Sequence, residues 1–239
     1  MLAGVRMTAF LVVAPPFSYS GIPTRIKAML GVGLAIAVAP RVSADYAPLD
    51  TGPFVVALIM QLVVGLFLGF LVMITFSAIQ SAGNLIDLFG GFQLAQAFDP
   101  MSMVNGAQFT RLFNMTALAL LFSTDGYQLI LGGLLRSFTA VPITMTFSSA
   151  PSGAVLVTGF SQLFLAAVQI AGPMIIVLFL ADVGLGLLTR VAPALNAFSL
   201  GFPLKILITV TFGGVVLLAL PRVVTALTQG LTGTLVEAF

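Results

Sequence analysis

The sequence predicts an all-α membrane protein, and three observations carry that reading. Of its 239 residues, 59% are hydrophobic and only 7% are charged, whereas ordinary soluble domains carry about 25% charged residues. Phe54–Ile86 is a run of 33 consecutive uncharged residues. As a helix rising 1.5 Å per residue it is roughly 50 Å long, well beyond a ~30 Å hydrocarbon core. The third observation is where the polar groups collect. The stretch from Gly83 to Asn114 holds two Asp, one Arg, three Asn and three Gln. A bilayer interior offers such groups no water, so each is expected to face protein or an aqueous cavity.

Composition also excludes several functions. With no Cys and no His, the chain has no disulfides, no thiol nucleophile, no haem-ligating His and no zinc site built on N or S ligands. The net charge of +2 and nine scattered basic residues point away from nucleic acid. No cofactor and no enzymatic activity are expected.

In chain order, Met7–Val13 is apolar and broken by Pro15-Pro16, and Ala28–Ala39 is apolar until Pro40-Arg41. Neither run reaches the ~20 residues of a clean span. They read as two short or broken helices, the first retained rather than cleaved as a signal, because the aromatics after Pro16 do not resemble a small-residue cleavage site. Arg25 and Lys27 read as interfacial anchors. In the long uncharged run, Gly65 and Gly69 form a G-x-x-x-G pattern that permits close helix contact. Near its end Gln80, Asn84 and Asp87 fall at i, i+4 and i+7, one helical face expected to point into protein.

The centre of the polar stretch cannot be regular helix. Pro100 disfavours a helical Asp99 and removes a backbone donor, and Asn105-Gly106 is turn chemistry. A re-entrant type of loop is predicted there, and at membrane depth it survives only where it lines or blocks a path. Helix resumes at Gln108–Phe122. Arg111 in its first turn opposes the helix dipole and is expected to pair with Asp87 or Asp99. Thr124-Asp125-Gly126 signals a turn, Tyr127–Leu135 is a short apolar piece closed by Arg136, and Ser137–Gly153 reads as a linker. After it, Ala154–Arg190 and Lys205–Phe239 form a hairpin around a turn at Ala192–Pro203, with an interruption at Pro221-Arg222. Asp182 and Arg190 are too far apart for a direct intrahelical pair, so Asp182 is expected to meet a partner on another helix. Lys205 joins the polar and ion-pair candidates Asn84, Asp87, Arg111 and Asp182. Basic residues flank nearly every segment, so charge sets no consistent orientation.

Four pieces in order then resemble the FliR family, flagellar export-apparatus membrane proteins related to the SctT subunit of virulence type III secretion. They are APPFSYSGIPTRIKAMLGVGLAIAVAP, AGNLIDLFGGFQLAQAFDP, FNMTALALLFSTDGYQLILGGLLRSF and NAFSLGFPLKI. The resemblance spans nearly the whole chain, and the GFPLKI turn looks more like the flagellar branch. It implies a FliP-like part over 1–153 followed by a FliQ-like helical hairpin over 154–239. It further implies assembly with FliP-like, FliQ-like and FlhB-like subunits into an inner-membrane gate of the flagellar basal body for unfolded exported proteins. The family's central loop acts as a pore plug. That role falls here on Phe98, Asp99, Pro100, Met101, Ser102, Met103, Val104 and Asn105. Many members carry Glu where this chain has Asn84, so that carboxylate's function is either taken by Asp87 or absent.

The residues suit a gate, since Met101 and Met103 are flexible side chains able to re-pack around varied surfaces. Two other readings compete. A secondary transporter or small-solute channel would also use broken helices and midplane polar groups, but no internal repeat with matching broken segments is present. An intramembrane enzyme could use Asp87 and Asp99 as an acid–base pair, but no nucleophile or metal set accompanies them.

Overall fold

The structure, a computed structural model, describes residues 1–19, 21–42, 48–93, 107–144, 153–192 and 197–237. The described residues form helices only: α1 (Leu2–Val13), α2 (Thr24–Val42), α3 (Thr51–Phe89), α4 (Gln108–Ser123), α5 (Gly126–Ala140), α6 (Gly153–Val191) and α7 (Ala197–Glu237). By length and composition α3, α6 and Leu200–Leu235 of α7 could each cross a membrane. The predicted all-α membrane class is what the structure has.

Several helices run on where the sequence reading ends them. Pro40 lies inside α2, and Pro203 and Pro221 lie inside α7. The turn expected at Ala192–Pro203 is therefore shorter, and no break occurs at Pro221-Arg222. The segment closed by Arg136 likewise continues to Ala140, into what reads as linker. One physical reason covers these corrections. A proline removes one backbone hydrogen bond, whereas a full break in apolar surroundings strands several donors and acceptors that no water can satisfy.

The chain divides into two compact units, each built from non-contiguous stretches. The first comprises Met1–Phe76, Leu121–Ser161 and Thr225–Phe239. Its core holds Met7, Phe10 and Leu11 of α1, Met60, Val64 and Leu68 of α3, and Ile130 and Leu134 of α5, all buried. Here α1 lies against the G-x-x-x-G face of α3. A Cβ on Gly65 would collide with the Arg6 carbonyl oxygen, and one on Gly69 would lie 3.0 Å from that of Phe10. Only glycine admits backbone so close. On the other side Gly31 of α2 leaves room for Thr8.

The second unit comprises Ser77–Leu120 and Gln162–Val224. Ile79, Ala82 and Ile86 of α3 are buried in it, as are Phe113 and Ala117 of α4, Ala171, Met174 and Leu178 of α6, and Leu220 of α7. Helix α3 ends in this unit at Gly90-Gly91. Gly91 adopts φ 81°, the left-handed conformation that glycine supplies after a helix C-terminus.

Candidate functional site

In the second unit the end of α3 is joined to the start of α4 by one carboxylate. Asp87 is fully buried. It accepts hydrogen bonds from the Phe109 amide at 2.9 Å, the Thr110 amide at 2.8 Å and the Thr110 hydroxyl at 2.7 Å. The first amides of any helix lack intrahelical partners and present partial positive charge. An acidic side chain from a neighbouring helix therefore serves as the cap that α4 does not carry itself. Gly83, one turn before Asp87, makes this approach possible. A Cβ there would lie 2.6 Å from Thr110 Cα and 2.8 Å from its nitrogen.

Aromatic contacts reinforce the same junction. The Phe109 ring packs edge-on to Phe92 at 5.5 Å and to Phe113 at 6.1 Å. It lies so close to Gly213 of α7 that a Cβ there would stand 2.5 Å from the ring. Asn84 Oδ1 accepts from Gln93 Nε2 at 3.0 Å. Phe92 and Gln93 precede residues 94–106 and Phe109 and Thr110 follow them, so the described residues on both flanks are held by the end of α3 and the start of α4.

The first unit contains a second polar centre, around Arg6. The side chain is buried in α1, a helix too short to span a bilayer, and among the described residues no carboxylate pairs with it. Its Nε donates to Gln61 Oε1 at 2.6 Å. Nη1 donates to the Ser137 carbonyl at 2.9 Å and its hydroxyl at 3.2 Å, and Nη2 to the Val141 carbonyl at 2.7 Å. The Phe138 ring lies 4.1 Å from the guanidinium carbon. Burial lowers the Arg6 pKa to about 9, which leaves it charged at neutral pH. Ser137 and Val141 stand at the end of α5, where the dipole is negative; the Ser137 carbonyl also accepts from the Val141 amide, and the Val141 carbonyl lies past the last turn of the helix. The cation thus caps α5 as Asp87 caps α4.

Residues 1–231 match the family described as bacterial export proteins, family 1. This chain belongs to that family. It is 34% identical over 222 residues to the flagellar biosynthetic protein FliR of Pectobacterium carotovorum subsp. carotovorum, covering 91% of this chain and 83% of that protein. The FliR of Escherichia coli (strain K12) is 30% identical over 207 residues, 87% and 79% of the two chains. The Yop proteins translocation protein T of Yersinia pestis is 31% identical over 175 residues, 72% and 67%.

In this family 1 export protein the structure separates the polar candidates. Arg111 is exposed, and no ion pair joins it to Asp87. That pairing is corrected: the buried carboxylate is satisfied by amides that already lie in the protein, so no arginine must be desolvated to reach it. The expected inward face is also narrower than Gln80, Asn84 and Asp87 together. Asp87 is buried while Gln80 and Asn84 are exposed, because the line of contact with α4 runs through Gly83 and Asp87. Asp182 meets Lys205 across the α6–α7 hairpin at 2.7 Å, both partly exposed. Phe98 to Asn105, the expected plug, and the Asp99 alternative for Arg111 lie outside the described residues.

Sequence reasoning missed Arg6 altogether. The signal was present, since Arg6 interrupts the apolar α1 and Gln61 is the one polar side chain between Phe54 and Ile74 of α3. An ionisable group in an apolar helix needs a named partner.

Proposed function

We propose that this protein is a subunit of the flagellar type III protein export gate in the bacterial inner membrane. In this reading it helps form the pore for unfolded flagellar proteins, and its central loop closes that pore at rest. The family match over residues 1–231 carries the proposal. The relatives' names, flagellar biosynthetic protein and Yop proteins translocation protein, support export and set aside a small-solute transporter. The partners are other export-apparatus components, here FliP-like, FliQ-like and FlhB-like subunits. Residues 1–153 act as the FliP-like part and 154–239 as the FliQ-like hairpin.

Geometry supports the assignment of the plug to Phe98–Asn105 in one respect. A loop that changes shape to open a pore needs fixed ends, and the Asp87 cap with the Phe92–Phe109 contact holds the helices on either side of it. An apolar constriction with Met101 and Met103 resists ions and water while closed.

The test is deletion of Pro100–Gly106 in a complex co-expressed with the FliP-like and FliQ-like subunits and verified by native mass spectrometry. The expected result is an assembled complex that leaks ions and small dyes. An assembled complex with wild-type tightness overturns the plug, and a chain that never joins those subunits overturns the gate.

A further inference from the structure

We propose that α7 is a latch on the central loop, with the Phe109 ring as its key and Gly213 as the slot that receives it. This latch rests on the reading of that loop as a plug, and it adds what holds the plug shut.

One stripe of α7 touches both sides of the loop. Phe202, Thr209 and Gly213 fall at i, i+7 and i+11, a single helical face roughly 16 Å long. Thr209 and Gly213 are buried, whereas Val210, Phe212 and Val215 beside them are exposed. On the side before the loop, a Cβ on Gly90 would stand 2.7 Å from the Thr209 hydroxyl oxygen, and one on Gly91 would stand 3.4 Å from the Phe202 ring. On the side after it, the Phe109 ring fills the space that a side chain at Gly213 would take, 2.5 Å from the Cβ position.

The two fastenings at the start of α4 differ in kind. The Asp87 cap is made of hydrogen bonds, and letting it go strands two amides and a hydroxyl, each a costly loss in a buried place. The α7 contacts carry no such penalty. The Thr209 hydroxyl donates to the Lys205 carbonyl of its own helix at 2.7 Å, and the Gly90 amide donates to the Ile86 carbonyl of α3 at 2.8 Å. The Phe109 ring has no polar atom to satisfy, and its edge-on neighbours Phe92 and Phe113 are apolar as well. Moving the ring out of the slot therefore leaves no donor or acceptor unpaired, while Asp87 keeps α4 attached as a pivot. A ring packed into a glycine slot is either seated or displaced, because close-packed contacts switch rather than stretch. A reversible fastening beside a permanent one lets the loop open and reclose in the same place.

The test uses the full chain in its complex with FliP-like and FliQ-like subunits, in vesicles loaded with a small dye, with assembly verified by native mass spectrometry. Deletion of Pro100–Gly106 is the reference for an open pore. Gly213→Ala puts a methyl in the ring's place, and Phe109→Ala removes the key. Gly214→Ala, at an exposed glycine with open space around it, is the control. Overpacking of this kind shifts an equilibrium by about 5- to 150-fold, so dye leak through Gly213→Ala should rise by that order over the control. Phe109→Ala should leak as well, and adding Gly213→Ala to it should change nothing further, because the slot is then empty. Amide exchange at Thr110 should stay slow in every variant, since Asp87 still caps α4. If one of the two variants fails to assemble, the other decides. Where the deletion leaks, a tight assembled Phe109→Ala or Gly213→Ala complex overturns the latch. So do equal leak from Gly214→Ala, additive effects of the two substitutions, lost Thr110 protection, or failure of both variants to assemble, each of which marks a merely structural contact. A deletion that stays tight overturns the plug reading itself, and the latch with it.

Discussion

Removing the Asp87 carboxylate tests the junction that holds α4 to α3. In Asp87→Ala the amides of Phe109 and Thr110 and the Thr110 hydroxyl all lose their acceptor. Loss of a helix cap costs about 0.5–2 kcal/mol, and a buried donor left without a partner costs about 1–3 kcal/mol. The helix dipole adds about 0.3–1 kcal/mol for a negative charge at this end. These terms overlap, because the two amides are the same donors that the cap satisfies. A combined local effect of roughly 2–4 kcal/mol follows. At tenfold per 1.4 kcal/mol, opening of the first turn of α4 becomes about 30- to 700-fold more frequent. Asp87→Asn keeps the shape and one acceptor oxygen but loses the charge, and should fall between wild type and alanine. The assay is amide hydrogen exchange resolved at Phe109 and Thr110, in detergent and in the assembled complex. Protection should drop at those two amides and stay unchanged at the end of α5, which Arg6 caps instead. Unchanged exchange at Phe109 and Thr110 in Asp87→Ala would refute the cap.

The other sites give predictions of different size. Gly83→Ala places a methyl 2.6 Å from Thr110 Cα, a backbone atom that cannot step aside, so overpacking of about 1–3 kcal/mol is expected. It should lower the thermal midpoint and loosen α4 with Asp87 intact. Arg6→Met strands the Gln61 Oε1 and Val141 carbonyl acceptors at about 1–3 kcal/mol each before relaxation, while the Ser137 carbonyl keeps the Val141 amide, and thermal unfolding in detergent should show the largest loss of the set. Arg6→Lys should recover only part of it, because one ammonium cannot span three acceptor groups in the fork geometry of a guanidinium. Asp182→Asn and Lys205→Met should each cost less than about 1 kcal/mol, since the pair is partly exposed and solvent screens it. Exchanging the two charges should restore the wild-type midpoint.

The sequence by itself determined the class and the long helices. Scarcity of charge, the uncharged run that became α3 and the paired apolar segments that became α6 and α7 are local properties of composition, and local properties are what a sequence displays directly. The need for a protein partner at Asp87 was legible for the same reason, as was close contact at Gly65 and Gly69. Which groups those residues meet was decided only by tertiary structure. Asp87 bonds to amides 22 and 23 residues away, and Arg6 to groups 55, 131 and 135 residues away. Side-chain type announces that a buried charge must be satisfied, but backbone amides and carbonyls are present at every position and carry no signature in the sequence. The intuitive partner, an opposite charge such as Arg111, therefore lost to two helix ends. Helix ends at Pro40, Pro203 and Pro221 were misjudged for a related reason: the cost of breaking a helix depends on the water or protein around it, and packing alone sets that environment.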